Sequence, residues 1–176
     1  MKRIFTYIGS RRGEESNSKK IVDLLMKNIS QYLDEEIESD IYYPADININ
    51  NCLGCCACFT TGKCALDSKD NFNVIKDKML NADFLIMASP VYAHGVSGDM
   101  KTFIDRISYW FHLFRLSGKK SAVISVSSTN GNDYVSSYLK KVMELAGTEV
   151  VQSLAVTVDG PKMLESDDFI GITLPF

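Results

Sequence analysis

Five short runs rich in apolar, β-branched and aromatic residues recur along this chain, separated by segments in which apolar residues repeat at helical spacing. The runs are KRIFTYI (2–8), EIESDIYY (36–43), DFLIMAS (83–89), KKSAVISVSS (119–128) and EVVQSLAVTV (149–158). The best of them are continuous apolar runs rather than strict alternations, which is typical of strands buried on both faces. Strands that alternate with helices predict a single α/β domain with a doubly wound, five-stranded parallel sheet.

Four segments between and after these strands carry apolar residues at helical spacing. We expect helices from Lys19 to Leu33, over 71–82, from Met100 to Phe114, and from Val135 to Ala146. The domain therefore spans residues 1–158, and the tail 159–176 has no clear periodicity from which to assign a function.

Composition excludes several classes of protein. A chain of 176 residues suits one domain, and 45% hydrophobic with 23% charged residues is a globular composition. A net charge of −3 with scattered basic residues argues against binding nucleic acid. We expect no membrane association and a cytoplasmic location, because no apolar run could span a bilayer and no export signal is visible.

The loop GSRRGEESNS, residues 9–18, follows the first strand and opens the first helix. Ligands of open α/β sheets bind at the carboxyl ends of the strands, where this loop lies. Its hydroxyls, the Asn17 amide and the free N–H groups of a helix start suit a phosphate monoester. The alternative that Ser16 to Ser18 only cap the helix stays open.

Two further loops end at the same predicted edge. SPVYAHGVSGDMKTFIDR, residues 89–106, offers a proline turn, an aromatic side chain and two glycines, so that backbone can approach a flat ring closely. SVSSTNGND, residues 125–133, offers small polar residues that could border a polar heterocycle. Each could also be an ordinary connection.

Taken together, the loops 9–18 and 89–106 resemble those of the flavodoxin-like NAD(P)H-dependent FMN reductases. That family carries a Gly-Ser-x-Arg phosphate loop and a Pro-Val-Tyr…Ser-Gly-x-Met-Lys-x-Phe-Ile-Asp-Arg segment, and Arg11 stands here where proline is usual. The resemblance covers residues 1 to about 155 and is closest to the iron–sulfur flavoprotein branch, which has a compact cysteine motif.

The resemblance implies FMN rather than FAD as cofactor and assigns residues to its parts. The phosphate would be held by Ser10, Arg12, Ser16, Asn17 and Ser18. The isoalloxazine would be lined by Pro90, Val91, Tyr92, His94 and Gly95, and its polar edge would be bordered by Ser127, Ser128, Thr129, Asn130 and Gly131. No obligatory general base is implied, and Tyr92 and His94 are candidate tuning residues.

All five cysteines lie in NCLGCCACFTTGKCALD, residues 51–67, after the second strand. Cys52, Cys55, Cys58 and Cys64 form C-x2-C-x2-C-x5-C, close to the ferredoxin spacing that binds a [4Fe–4S] cluster, with Cys56 as a spare. Unmetallated thiols, zinc and a redox disulfide remain alternatives.

The expected function is therefore an FMN-dependent oxidoreductase that passes electrons from NAD(P)H to a quinone, flavin or other small acceptor. Two alternatives stay open: an electron carrier for a ferredoxin-type partner, and a cysteine-based redox sensor. We also expect a homodimer, because ISYWFHLF, residues 107–114, carries more aromatic surface than one sheet face needs.

Overall fold

The computed structural model describes residues 1–32 and 35–158. The expected helix end at Leu33 and the tail 159–176 lie outside the described residues. The strands are β1 (Lys2–Ile8), β2 (Ile37–Tyr42), β3 (Phe84–Tyr92), β4 (Gly95–Val96), β5 (Lys120–Ser127) and β6 (Glu149–Thr157). The helices are α1 (Asn17–Tyr32), α2 (Ala57–Thr61), α3 (Phe72–Asn81), α4 (Gly98–Ile107) and α5 (Asn132–Ala146), with 3-10 turns at Gly13–Glu15 and Ser108–His112.

Five of the strands form a parallel sheet in the order β2-β1-β3-β5-β6. The two-residue β4 pairs antiparallel with the end of β3 and closes a tight hairpin. The predicted α/β class, the flavodoxin-like strand order and the cysteine-rich segment after the second strand are thereby confirmed.

Successive side chains of a strand point to opposite faces of the sheet, so both faces are apolar here and helices cover both. On β1, Ile4 and Ile8 face α1, whereas Phe5 and Tyr7 face the side covered by α3, α4 and α5. Each face has its own apolar cluster, which explains why these strands are apolar without interruption. The loops after β1, β3 and β5 lie at the carboxyl ends of these strands.

Strand β3 passes through Pro90 and continues to Tyr92, whereas the sequence predicts that it ends at the proline. The carbonyl oxygen of Ala88 accepts a hydrogen bond from the Gly9 N–H, so the backbone groups of Ala88 and Pro90 point toward β1. Strand β1 has ended at Ile8, and the missing N–H of Pro90 therefore costs the sheet no ladder bond.

The expected helix from Met100 to Phe114 is too long at its C-terminal end. Helix α4 stops at Ile107, and a 3-10 turn over Ser108–His112 follows. This turn places Trp110 in the core with 2% of its surface exposed, while Phe114 has a left-handed φ of 45° and is 58% exposed. In a continuous helix Trp110 and Phe114 would lie one turn apart on the same face, so one would not be buried and the other exposed.

Within residues 1–32 and 35–158, no helix combines the length and the apolar character needed to cross a bilayer.

Candidate functional site

The loops after β1, β3 and β5 meet at the carboxyl edge of the sheet around a cavity of about 130 Å³. It is lined by Ser10, Arg12, Ser16, Asn17 and Ser18 from the first loop, Pro90, Val91 and Tyr92 from the second, and Val126, Ser127 and Ser128 from the third. All of these except Val126 are residues that the sequence analysis assigns to FMN. Val126 is the last apolar residue of β5, and no polar signal marks it in the sequence.

The remaining predicted residues lie beside this cavity. His94 and Gly95 line a neighbouring, more apolar cavity of about 390 Å³, together with Val96, Lys101, Tyr134, Val135 and Tyr138. His94 and Tyr134 meet edge to face, with ring centroids 5.7 Å apart. Thr129 and Asn130 are exposed and line neither cavity.

The first loop presents hydrogen-bond donors and the positive charge of Arg12 to the cavity. Ser16 caps α1, since its Oγ accepts a hydrogen bond of 3.2 Å from the Lys19 N–H, and it also lines the cavity. The capping and ligand roles are therefore compatible. Arg12 makes no ion pair with any residue in the described part of the chain. Asn17 Oδ1 is buried and has no hydrogen-bond partner among the described residues.

Arg11 and Arg12 have different roles although they are adjacent. The Arg11 guanidinium donates two hydrogen bonds to the Asp99 carboxylate, Nε–Oδ2 at 2.8 Å and Nη2–Oδ1 at 2.7 Å, at the start of α4. Arg12 instead lines the cavity. A phosphate bound among the Arg12 guanidinium, serine hydroxyls and helix N–H groups would have the donor set that such a dianion needs.

The second and third loops are tied down by polar residues that the sequence analysis did not single out. The Ser97 N–H donates to Ser89 Oγ (3.1 Å), and Ser97 Oγ accepts from the Met100 N–H (3.1 Å) as the cap of α4. Asn132 is buried, and its Nδ2 donates to Ser127 Oγ (2.8 Å) and to the Val156 carbonyl (2.9 Å). These bonds fix the cavity walls through backbone and side chains from distant strands.

Gly131 brings the third loop against the second. Its φ of 87° is in the left-handed region, and a Cβ at this position would lie 2.9 Å from Val91 Cγ1 and 3.2 Å from His94 Nδ1. Only glycine permits this backbone approach without displacing the His94 hairpin. Val91 and His94 of the second loop therefore lie directly against Gly131 of the third loop.

The cysteine segment, residues 52–64, follows a strongly curved path with left-handed residues at Gly54, Cys56 and Gly62. Cys52, Cys55 and Cys56 are exposed, whereas Cys58 and Cys64 are partly buried against the core. Burial raises the pKa of the Cys58 thiol, and the neighbouring Cys64, Cys52 and Cys55 raise it further.

No group of three or more histidine, cysteine, aspartate or glutamate side chains in residues 1–32 and 35–158 is assembled as a metal site. Cys52, Cys55, Cys58 and Cys64 nevertheless match the ligand type and number that a [4Fe–4S] cluster takes. The four-thiolate ligand set, with Cys56 as the spare thiol, stays a prediction.

Comparison with known proteins decides which family this site belongs to. The family model described as NADPH-dependent FMN reductase matches residues 2–161. The chain belongs to the NADPH-dependent FMN reductase family. A curated relative named iron-sulfur flavoprotein, from Archaeoglobus fulgidus, is 31% identical over 80% of the chain and 61% of its own length.

A second relative with that name, from Methanocaldococcus jannaschii, is 35% identical over 61% of this chain and 55% of its own length. The chain thus spans about three fifths of the length of these curated relatives. The solved structure of a flavoenzyme NAD(P)H:(acceptor) oxidoreductase from Paracoccus denitrificans has a TM-score of 0.62 and 19% identity, covering 94% of this chain and 90% of that one. At this identity the likeness concerns the fold of the family member alone.

Proposed function

We propose that this family member is an FMN-dependent oxidoreductase that accepts a hydride from NAD(P)H and passes electrons to a quinone, flavin or other small acceptor. The observation that carries the proposal is the convergence of the first, second and third loops on one cavity with the predicted donors in it. Membership of the FMN reductase family supports it independently.

The chain's own residues bind and orient the cofactor, while FMN supplies the hydride and electron chemistry when bound. Arg12 and the hydroxyls of Ser10, Ser16 and Ser18 would hold the phosphate. Pro90 to Gly95 would support the ring, and the loop at Ser127 and Ser128 would offer hydrogen-bond donors to its polar edge. Such donors stabilise negative charge that develops on a reduced ring.

The residues near the proposed ring leave one side open to solvent. Tyr92 is 55% exposed and His94 is also exposed, so a nicotinamide or a flat acceptor can reach this surface. We assign Tyr92 and His94 tuning roles rather than proton transfer, because no carboxylate in the described part of the chain pairs with either ring.

Reduction of the bound flavin tests the proposal directly. Anaerobic protein loaded with FMN is mixed with NADH or NADPH, and flavin absorbance is followed before and after a quinone is added. Rapid bleaching followed by reoxidation and turnover supports the reductase. Bleaching by neither nucleotide, with no turnover, would contradict it.

We further propose that Cys52, Cys55, Cys58 and Cys64 hold a [4Fe–4S] cluster, which supplies one-electron transfer when bound. The spacing of these four cysteines and the names of the curated relatives support this assignment. Iron and sulfide are measured in protein purified without oxygen, with Cys56→Ser as the matched control for Cys58→Ser. The cluster is excluded if wild-type protein retains flavin with substoichiometric iron, or if both variants keep the wild-type spectrum.

A second candidate function is that of an electron carrier for a ferredoxin-type partner. Exposed apolar side chains near the cysteine segment favour it: Phe59 is 53% exposed and stacks edge-on against His112, and Leu53 is 68% exposed. Reduction of the flavin by ferredoxin but not by either nicotinamide would support the carrier. Oxidation that changes partner binding without turnover would instead indicate a redox sensor.

The expected homodimer belongs to the same proposal, as does a cytoplasmic location, where thiols stay reduced. Trp110 is buried in its own core and cannot contribute to a dimer surface, but Leu113 and Phe114 are 48% and 58% exposed. Sedimentation at low concentration checks the dimer. A monomer with intact flavin would contradict it, and Phe114→Ser is the variant expected to weaken the dimer.

A further inference from the structure

Arg106, the last residue of the 89–106 segment, is buried beneath the cysteine segment rather than exposed on α4. Its side chain and that of Asp70 are both 0% exposed, and Arg106 Nη1 donates to Asp70 Oδ2 at 2.5 Å. The same Nη1 donates to the Asn50 carbonyl oxygen at 2.9 Å, and Nη2 donates to Asp67 Oδ1 at 3.3 Å. A buried charge of this kind is retained only when several partners compensate its desolvation.

These partners lie on the two sides of the cysteine segment. Asn50 comes just before Cys52, whereas Asp67 and Asp70 come just after Cys64. The Asn50 N–H also donates to Asp70 Oδ2 at 3.0 Å, so the two ends are bonded to each other as well as to the guanidinium. The planar fork of arginine can satisfy these divergent acceptors at once, which a point charge cannot do.

The guanidinium also interacts with the segment itself. Burial lowers the pKa of Arg106, but the hydrogen bond to Asp70 and the neighbouring Cys64 sulfur raise it above its ordinary value. Arg106 Nε is buried and has no hydrogen-bond partner in the described part of the chain. Among the described residues, one donor therefore has no partner on a side chain that lies beside Cys64.

We propose that Arg106 is the positioning residue of the cysteine segment: it joins the two ends of the segment, so that residues 51–66 are held as one closed loop before iron binds, and it keeps a positive charge beside Cys64. In its second part the inference rests on the proposed cluster. A fixed cation beside an anionic cluster favours the more negative, reduced state and raises the midpoint potential.

The test compares Arg106→Gln and Arg106→Lys with a control from the same buried network. Lys76→Met removes the ion pair between Lys76 Nζ and Asp67 but leaves the bonds of Arg106 to Asn50 and Asp70 in place. Arg3→Gln, which breaks an exposed ion pair with Glu38, serves as a mild control. Arg106→Lys keeps the positive charge, and it replaces Arg106→Gln in the comparison if that variant does not fold.

The first readout is hydrogen–deuterium exchange over residues 51–66 in iron-free, FMN-loaded protein. We expect roughly tenfold or faster exchange in Arg106→Gln and an intermediate increase in Arg106→Lys. In Lys76→Met we expect near-wild-type exchange of the segment despite lower overall stability. Equal exchange of the segment in Arg106→Gln and Lys76→Met would overturn the positioning role, whether or not the protein binds iron.

The second readout is the iron content and cluster midpoint potential of protein purified without oxygen. Arg106→Gln should lose iron relative to FMN, and the cluster it retains should have a lower midpoint potential, with Arg106→Lys closer to wild type. An unchanged potential in Arg106→Gln would overturn the charge effect. Wild-type protein without iron would instead refute the proposed cluster, and the exchange data would still decide the positioning role.

Discussion

Ser97 Oγ donates a hydrogen bond of 2.5 Å to the carbonyl oxygen of Gly9, across 88 positions of sequence. This bond joins the first loop, where we place the FMN phosphate, to the hairpin and helix start that would support the ring. The same hydroxyl caps α4 by accepting from the Met100 N–H. Substitutions at Gly9 and at Ser97 test this junction.

Gly9→Ala should loosen the junction. A Cβ at Gly9 would lie 2.8 Å from Met100 Cβ and 2.8 Å from Ser97 Oγ, and the backbone-proximal Met100 atom cannot easily move away. We expect a loss of about 1–3 kcal/mol in the free energy of unfolding, with weaker FMN binding. Urea unfolding and flavin fluorescence measure the two. Gly98→Ala is the control, since a Cβ there meets nothing within 4 Å and should change little.

Ser97→Ala should cost about 1–2 kcal/mol of stability, because it removes the helix cap and leaves the buried Gly9 carbonyl without this donor. Ser97→Thr keeps the hydroxyl and should restore most of the loss. Thermal unfolding of both variants checks the prediction, with Ser30→Ala on the exposed side of α1 as control. Equal unfolding temperatures for Ser97→Ala and wild type would contradict it.

Gly131→Ala tests the contact between the second and third loops. Gly131 and Gly118 both have left-handed φ values, 87° and 80°, so alanine costs about 1 kcal/mol of strain at either position. Only at Gly131 does the new Cβ press on Val91 and His94. Gly131→Ala should therefore weaken FMN binding beyond its loss of stability, whereas Gly118→Ala should leave the dissociation constant unchanged. Equal effects would argue against this contact supporting the ring.

Asp70 gives the protein a specific dependence of stability on pH. Burial raises the pKa of Asp70, but hydrogen bonds from Arg106 and from the N–H groups of Asn50 and Phe72 outweigh it and lower the pKa below 3.8. Its stabilisation is therefore fully present above about pH 4 and is lost as pH falls through the folded pKa.

Asp70→Asn should destabilise the protein at pH 7 by about 3–5 kcal/mol, since it leaves the buried Arg106 short of a charged partner. The difference from wild type should shrink in urea unfolding as pH falls below about 4. The exposed Asp77→Asn should differ from wild type by less than about 0.5 kcal/mol at each pH. A difference that is constant from pH 7 to pH 3 would contradict the assignment.

The adjacent arginines provide a matched pair for the phosphate assignment. Arg12→Gln should weaken FMN binding by about 10- to 100-fold through loss of a charge-assisted contact, and the loss should diminish at high salt. Arg11→Gln breaks the exposed pair with Asp99 and should change FMN affinity little. Titration of FMN at two ionic strengths compares them. A larger effect in Arg11→Gln would mean that the roles are reversed.

Periodicity was enough to predict the architecture, because the apolar runs of β1, β3 and β5 and the helical spacing of α1 and α5 record burial directly. Once strands are parallel, their loops must share an edge, and this is why the three loops could be named in advance. The individual lining residues were assigned from the resemblance to the FMN reductases. The end of α4 could not be predicted, since the pattern through Trp110 fits a 3-10 turn as well as a helix.

The positioning residues escaped prediction for a different reason. Ser97, Asn132 and Arg106 act through partners far away in sequence, and a serine or asparagine in a polar loop has no local mark of burial. Arg11 pairs with Asp99 and Arg12 lines the cavity, and this difference likewise depends on where Asp99 lies in the fold. A polar residue inside an otherwise apolar helical face, such as Arg106 on α4, is the one available signal.

The central claim is that this edge of the sheet holds FMN by its phosphate, and paired titrations of FMN and riboflavin test it most directly. The two ligands differ only in the phosphate, so their affinity ratio isolates the contribution of the loop 9–18. We expect wild-type protein to bind FMN about a hundredfold more tightly than riboflavin, and Arg12→Gln to reduce this ratio by about tenfold. Equal affinities of wild-type protein for FMN and riboflavin would contradict the account.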